Sequence, residues 1–272
     1  MNEHDVAPCL EEIKPGSRRL YLVFGGMASM IGVPPFEFYK TARIIDDSRI
    51  FFRDISQSWY QCGLPGMAKD VYELADFIRE KIRQLNPAKV YYIGNSMGGF
   101  AAILFSALIG HGSAITFSPQ TFLSFTERLA HSDARWYWKI LRMYYHTVFR
   151  RHIYNLRDVL INNDNDFEIN IHVSMSDHLD MKHAMALHGF RQVKVHHYAV
   201  GGHDLVKYLQ RLEVPYEVVE IVPGRANIPG RCASSACGTP PRCYDNGEPN
   251  TAACPHCEER YRLQGPFRTR YR

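Results

Sequence analysis

The sequence predicts an α/β fold, in which a mainly parallel β-sheet is covered by helices on both faces. The first observation is that short apolar runs alternate with segments of helical periodicity along residues 18–214. The second is that strands separated by helices need crossover connections, which make neighbouring strands parallel and bury both faces of the sheet. The hydrophobic share of 46% over 272 residues is that of a folded chain, so bulk disorder is excluded.

The predicted strands are short apolar runs, and they occupy residues 20–26, 49–55, 89–95, 113–119, 167–175 and 192–200. Between the second and third, Asp70 starts a helix whose apolar residues recur every three or four positions, and Asn86-Pro87 ends it. A second helix, uniformly apolar, follows residue 96. We therefore expect this helix to be buried.

Residues 120–166 interrupt the alternation of strands and helices, because they are rich in arginine and aromatic residues and contain no strand pattern. We predict a helical cap insertion here. An insertion between successive strands normally lies over the edge of the sheet where loops build a ligand site. The alternative is that its aromatic residues only pack the insertion onto the domain.

Charge and cysteine divide the chain near residue 215. Residues 221–272 hold eight Arg, no Lys and four acidic residues, so they carry the whole net charge of +4, and five of the seven cysteines lie in the same stretch. We predict a 1–17 extension, an 18–214 domain and a 215–272 tail. The sequence lacks an apolar run of transmembrane length and an apolar signal segment near its start, so we expect a cytoplasmic protein.

The segment Gly94-Asn95-Ser96-Met97-Gly98 is a G-x-S-x-G sequence between a predicted strand and a predicted helix. A sharp turn at this point exposes the Ser96 hydroxyl and directs the positive end of the helix towards it. Side chains at the two glycine positions would collide with neighbouring elements. This context predicts a nucleophilic serine, whereas an ordinary turn serine is the alternative.

With this motif in place, the chain resembles the α/β-hydrolase superfamily, whose members order their catalytic residues as serine, acid and histidine on successive loops. The resemblance covers roughly residues 18–214 and implies Asp177, after the strand at 167–175, as the acid. It implies His203, in Gly201-Gly202-His203-Asp204, as the base. Asp180 competes with Asp177 for the acid role, but we expect Asp180 to cap the following helix.

The resemblance also implies the role of each residue. Ser96 would attack an acyl carbon, His203 would move its proton, and Asp177 would orient the imidazole and stabilise its cation. The oxyanion would bind the backbone N–H of Met97 and one from the first glycine loop, at Gly26 or Met27.

The tail contains Cys254-Pro-His-Cys257, a C-x₂-C pair with the spacing of zinc ligands, and a looser pair, Cys232 and Cys237. So short a segment with few aliphatic residues needs a cross-link or a bound metal to fold. We expect one structural zinc on these four cysteines, with Cys243 as an alternative ligand. The segment is similar to a zinc-finger family typified by a small subunit of respiratory complex I, although Thr239 stands where that family has histidine. Disulfides and free thiols remain alternatives.

These features predict a serine hydrolase that cleaves a carboxylic ester or thioester and needs no cofactor for catalysis. Stretches such as ITFSPQTF and GGHDLVKYL also resemble small hydrolases encoded near bacterial surface-polysaccharide genes, which favours an acylated sugar or lipid as substrate. The alternatives are an acyltransferase and a catalytically silent scaffold. The basic tail favours an anionic or protein partner, and no motif that reads nucleic acid occurs.

Overall fold

The computed structural model describes residues 7–27, 45–161, 163–199, 201–211, 251–253 and 260–262. Within them, seven strands form one sheet in the order β1-β3-β2-β4-β5-β6-β7. Every pair is parallel except β1 with β3. The strands are β1 (Cys9–Glu12), β2 (Arg19–Phe24), β3 (Ser48–Phe52), β4 (Lys89–Asn95), β5 (Gly112–Phe117), β6 (Phe167–Ser174) and β7 (Val193–Tyr198).

The predicted α/β sheet is confirmed, and so are the six strands predicted for it, within a few residues at their ends. The sheet begins earlier than the expected boundary at residue 18. Residues 9–12 of the supposed extension form β1, which pairs antiparallel with β3 at the sheet edge. Its partly buried CLEE sequence is too short and polar to be recognised as a strand.

The helices are α1 (Val71–Leu85), α2 (Met97–Ile109), α3 (Phe125–Ala130), α4 (Tyr137–Thr147), α5 (Arg157–Leu160), α6 (His178–Ala186) and α7 (Leu205–Arg211). Asp70 caps α1 as expected, because its carboxylate accepts hydrogen bonds from the backbone N–H groups of Tyr72 and Glu73. Every residue of α2 from Met97 to Ala107 is buried, as its uniformly apolar sequence predicts.

The segment between β5 and β6 is helical, as predicted, and contains α3, α4 and α5. Two arginines of this segment bind the loop before α1. Arg151 forms an ion pair with Asp70 (Nε to Oδ2, 3.0 Å), and Arg150 donates to the backbone carbonyls of Cys62 and Lys69. The insertion therefore packs on the same side of the domain as the N-terminus of α1.

In the tail, β8 (Thr251–Ala253) and β9 (Arg260–Arg262) pair antiparallel. All five tail cysteines, Cys232, Cys237, Cys243, Cys254 and Cys257, lie outside the described residues. In the part of the chain that the structure describes, no helix is both long and apolar enough to cross a bilayer.

Candidate active site

Ser96 lies at the turn where β4 ends and α2 begins, and its backbone is strained, with φ 53° and ψ −116°. The flanking glycines make this turn possible. A Cβ at Gly94 would lie 2.0 Å from the carbonyl oxygen of Gly98, and one at Gly98 would lie 2.2 Å from that of Phe24. Both positions therefore require glycine. The turn holds Ser96 beyond the carboxyl end of the sheet, as the G-x-S-x-G context predicts.

His203 lies in a short 3₁₀ turn, Gly202–Asp204, that follows β7. Its Nε2 is 3.1 Å from the Ser96 hydroxyl, and its Nδ1 is 2.7 Å from Oδ2 of Asp180. A carboxylate can only accept, so Nδ1 carries the proton and Nε2 accepts from the serine. The three side chains thus form a hydrogen-bonded chain in the order that serine catalysis requires.

The expectation that Asp177 holds the imidazole is wrong, because its carboxylate is used elsewhere. Asp177 is the N-cap of α6 and accepts from the backbone N–H groups of Leu179 and Asp180. Asp180, which we expected to cap the helix, is fully buried and contacts His203. The two aspartates have exchanged the expected roles, since the capping position falls one turn earlier than we assigned it.

Arg135, from the insertion, binds the other oxygen of the acid. Its Nη1 lies 2.7 Å from Oδ1 of Asp180. Asp133 in turn binds Arg135 (Oδ1 to Nε, 3.1 Å) and His183 (Oδ2 to Nε2, 2.9 Å). The backbone N–H of Thr121 donates to Nδ1 of His183, so this imidazole is neutral and donates from Nε2.

These ion pairs could not be predicted from sequence, because Arg135 lies 45 residues from Asp180 and Asp133 lies 50 residues from His183, in no recognised motif. The insertion therefore does more than pack on the domain. It supplies the Arg135 guanidinium that binds Asp180 of the candidate site.

The charges around the site set the pKa values of its two central groups. Burial by itself would lower the pKa of His203, but the hydrogen bond and charge of Asp180 outweigh it, so this pKa is raised above its ordinary value. Arg135 acts in the opposite direction, and Asp177 adds a smaller increase. Burial would raise the pKa of Asp180, but His203 and Arg135 hold it below its ordinary value. Asp180 is therefore ionised at neutral pH.

The residues expected to form the oxyanion hole follow two neighbouring strands. Met97 is the first residue of α2, after β4, whereas Gly26 and Met27 follow β2. The register pairs Phe24 with Gly94, so both segments leave the sheet at the same edge. The N–H groups at the start of a helix have no partner within the helix, which suits Met97 to an anion. Their role as oxyanion donors stays a prediction.

Asp177, Asp180 and His203 have donor atoms within 4.8 Å of one another, which is close enough for a metal ion. Their oxygens and nitrogens already serve the helix cap, the ion pair with Arg135 and the contact between His203 and Ser96. We therefore assign Asp180 and His203 to the hydrogen-bonded chain and Asp177 to the helix cap, and none of the three to a metal.

No protein-family profile and no curated protein matches this chain. Solved structures do resemble it. The capsule O-acetyltransferase of Neisseria meningitidis serogroup A superposes with a TM-score of 0.58 at 16% identity, over 79% of this chain and 92% of that one. A lipase-esterase related protein of Clostridium acetobutylicum gives a TM-score of 0.50 at 15% identity, over 79% and 98%. The chain has the α/β-hydrolase fold.

A third similar structure is a glycosylation-associated protein complex of Streptococcus agalactiae, with a TM-score of 0.50 at 15% identity. It covers 75% of this chain and 44% of that one. Identities this low show the common fold and leave the reaction and the substrate to be argued from the site.

Proposed function

We propose that this α/β-hydrolase-fold chain is an enzyme that uses a serine nucleophile to cleave a carboxylic ester or thioester. The observation that carries the proposal is the continuous hydrogen-bonded chain Ser96–His203–Asp180. Its Ser–His and His–Asp distances, 3.1 Å and 2.7 Å, are those needed for proton transfer. A fold kept only for shape would have no need of a buried, ionised aspartate opposite a histidine.

In the proposed reaction, Ser96 Oγ attacks the acyl carbon while Nε2 of His203 takes its proton. The oxyanion binds the Met97 N–H and one N–H at Gly26 or Met27. Collapse of this intermediate breaks the bond to the leaving group, which takes the proton from His203 and departs. Asp180 stabilises the imidazolium in between. A second nucleophile then attacks the acyl-serine with the same proton transfers in reverse roles.

The identity of that second nucleophile separates hydrolysis from acyl transfer. Water gives an esterase or thioesterase, whereas a sugar or lipid hydroxyl gives an acyltransferase. The second candidate is supported by the similarity to the capsule O-acetyltransferase, a mutant of which has been solved in complex with CoA at a TM-score of 0.53. An acylated sugar or lipid is compatible with both reactions.

A fluorophosphonate probe tests the shared first half of both reactions. The probe should modify Ser96 in the full-length protein, and peptide mass spectrometry should locate the adduct. Ser96→Ala supplies the negative control, and Ser176→Ala, which changes a serine near the site, should still label. Folded protein that is not labelled would point to the silent scaffold instead. Acetyl-CoA with and without sugar acceptors would then separate hydrolysis from transfer.

Arg135 should act as a positioning residue that tunes the base. The acidic limb of the kcat/KM profile reports the pKa of His203, which must be neutral to accept the serine proton. Because this pKa is raised, activity should increase with pH through a midpoint above about 6.5. Arg135→Met removes a charge that lowers the pKa of His203, so the limb should move to higher pH. Arg135→Lys, which keeps the positive charge, should restore the midpoint of the parent enzyme. An unchanged midpoint in Arg135→Met would exclude Arg135 as a positioning residue for His203.

We also propose one structural zinc in the tail, held by Cys232, Cys237, Cys254 and Cys257, with Cys243 as the reserve ligand. The donor set fits, because four thiolates complete a tetrahedral site and leave no position for substrate. The pairing of β8 with β9 on either side of the Cys254–Cys257 pair supports the proposal, since it brings the two ends of that short segment together. Bound metal would supply folding energy to the tail and no step of catalysis.

Elemental analysis of the purified chain should therefore give close to one zinc per molecule. The double variant Cys254→Ser/Cys257→Ser should lose the metal, whereas Cys62→Ser, at a cysteine in the hydrolase domain, should keep it. Chelation should disrupt the tail and leave probe labelling of Ser96 intact. Metal-free protein, or loss of labelling on chelation with an unchanged tail, would contradict the assignment.

A further inference from the structure

The outer face of α4 carries an unusual row of exposed apolar side chains. Trp138, Leu141 and Tyr145 recur at spacings of three and four residues, so they share one face of the helix. Trp138 is 79% exposed and Tyr145 is 80% exposed. Val148 and Phe149 continue the row just past the helix, and Phe149 is 99% exposed. We call these five residues the α4 stripe.

The exposure of the stripe does not come from loose packing of α4. The opposite face of the helix buries Ile140, Met143 and Thr147, and Thr147 donates to the backbone carbonyl of Met143. The helix is thus fixed through one apolar face while a second points to solvent. Large aromatic residues seldom form an extended exposed row on a protein surface unless they contact something else.

The segment that contains the stripe carries charge of a single sign. From Ala134 to Arg157, both included, the sequence has six Arg or Lys residues and no Asp or Glu. Arg135 and Arg151 are used in ion pairs within the domain, and Arg150, although exposed, donates to backbone carbonyls. Arg142 lies exposed on α4, next to Leu141 of the stripe. Such a surface attracts an anionic partner and repels a basic one.

We propose that the α4 stripe docks on the surface of a membrane that contains anionic lipids. Tryptophan, tyrosine and phenylalanine favour the headgroup boundary, where their rings bury apolar area and their polar atoms stay hydrated. Neighbouring arginines add attraction to anionic headgroups. The occupant is an anionic lipid surface and not a protein, because exposed aromatic rings next to basic side chains match the apolar and anionic layers of the headgroup boundary.

This surface lies in the same insertion that binds the candidate acid, since α4 begins two residues after Arg135. Docking would bring the candidate site near the interface where acylated lipids are found. The binding proposal itself does not depend on the reaction, and it can be tested with an inactive enzyme.

The experiment is co-sedimentation of the full-length Ser96→Ala protein with vesicles of phosphatidylcholine, either alone or mixed with phosphatidylglycerol. We expect binding only to the mixed vesicles. The double variant Trp138→Ser/Tyr145→Ser and the variant Arg142→Glu should each weaken binding by about tenfold or more. Lys89→Glu makes the same charge reversal at an exposed residue at the start of β4, and should bind almost as well as the parent.

Tryptophan fluorescence provides a second measurement. The chain has three tryptophans, of which Trp59 is fully buried and Trp138 is the most exposed. Mixed vesicles should shift the emission to the blue, and brominated lipid should quench it. Trp138→Phe should abolish both signals while retaining binding. Equal binding by parent and stripe variants, as expected if the basic tail alone holds the membrane, would overturn the proposal, and so would self-association through α4 without any vesicle binding.

Discussion

Asp180→Asn should lower kcat/KM by about 10⁴-fold, whereas Asp177→Asn should retain most of the activity. The Asp180 carboxylate accepts a hydrogen bond from the protonated Nδ1 of His203 at 2.7 Å. This keeps the proton on Nδ1, so that Nε2 is free to accept the proton of Ser96. An amide in its place can donate to Nδ1 and so favour the wrong tautomer. It also removes the negative charge that stabilises the imidazolium.

Asp177 is a matched control, three residues away at the start of the same helix. Its oxygen accepts from two backbone N–H groups, and an asparagine oxygen caps a helix about as well, so stability should also be kept. Initial rates on an activated ester, with thermal unfolding of each variant, provide the comparison. If Asp177→Asn proved the more damaging change in folded protein, the assignment of the acid to Asp180 would be wrong.

Ser96→Ala should lower kcat by about 10⁴–10⁶-fold and eliminate probe labelling. No other hydroxyl is placed on Nε2 of His203 among the described hydrogen bonds, so the acyl-enzyme has no alternative nucleophile. The fold should persist, because the side chain is small and alanine tolerates the same backbone turn as serine. Turnover of an activated ester measures the loss, and circular dichroism verifies the fold.

The control for this variant is Ser176→Ala. It removes a hydroxyl that hydrogen-bonds Ser174 and accepts from the backbone N–H of Gly202, but does not contact His203 Nε2. It should stay active within a few-fold of the parent. A Ser96→Ala variant that kept about a tenth of the activity would show that Ser96 is not the nucleophile.

The sequence by itself determined the features whose causes are local. Apolar periodicity predicted the six parallel strands, and the uniformly apolar run after Ser96 predicted the buried α2. The two glycines around Ser96 marked a turn at which any Cβ would overlap a backbone carbonyl. Each of these inferences depends only on neighbours along the chain. His203, in the loop after the last strand of the sheet, was indicated by the resemblance to the α/β-hydrolases.

Tertiary structure decided which partners meet across the chain. Asp177 and Asp180 lie one helical turn apart, and either could cap α6 or face His203. The choice depends on where the helix starts and how it is rotated against the sheet, which no local pattern specifies. Arg135 reaches Asp180 only because the insertion folds back onto α6, the helix that follows β6. Contacts between residues distant in sequence arise from packing, so the cation beside the acid became visible only in the folded chain.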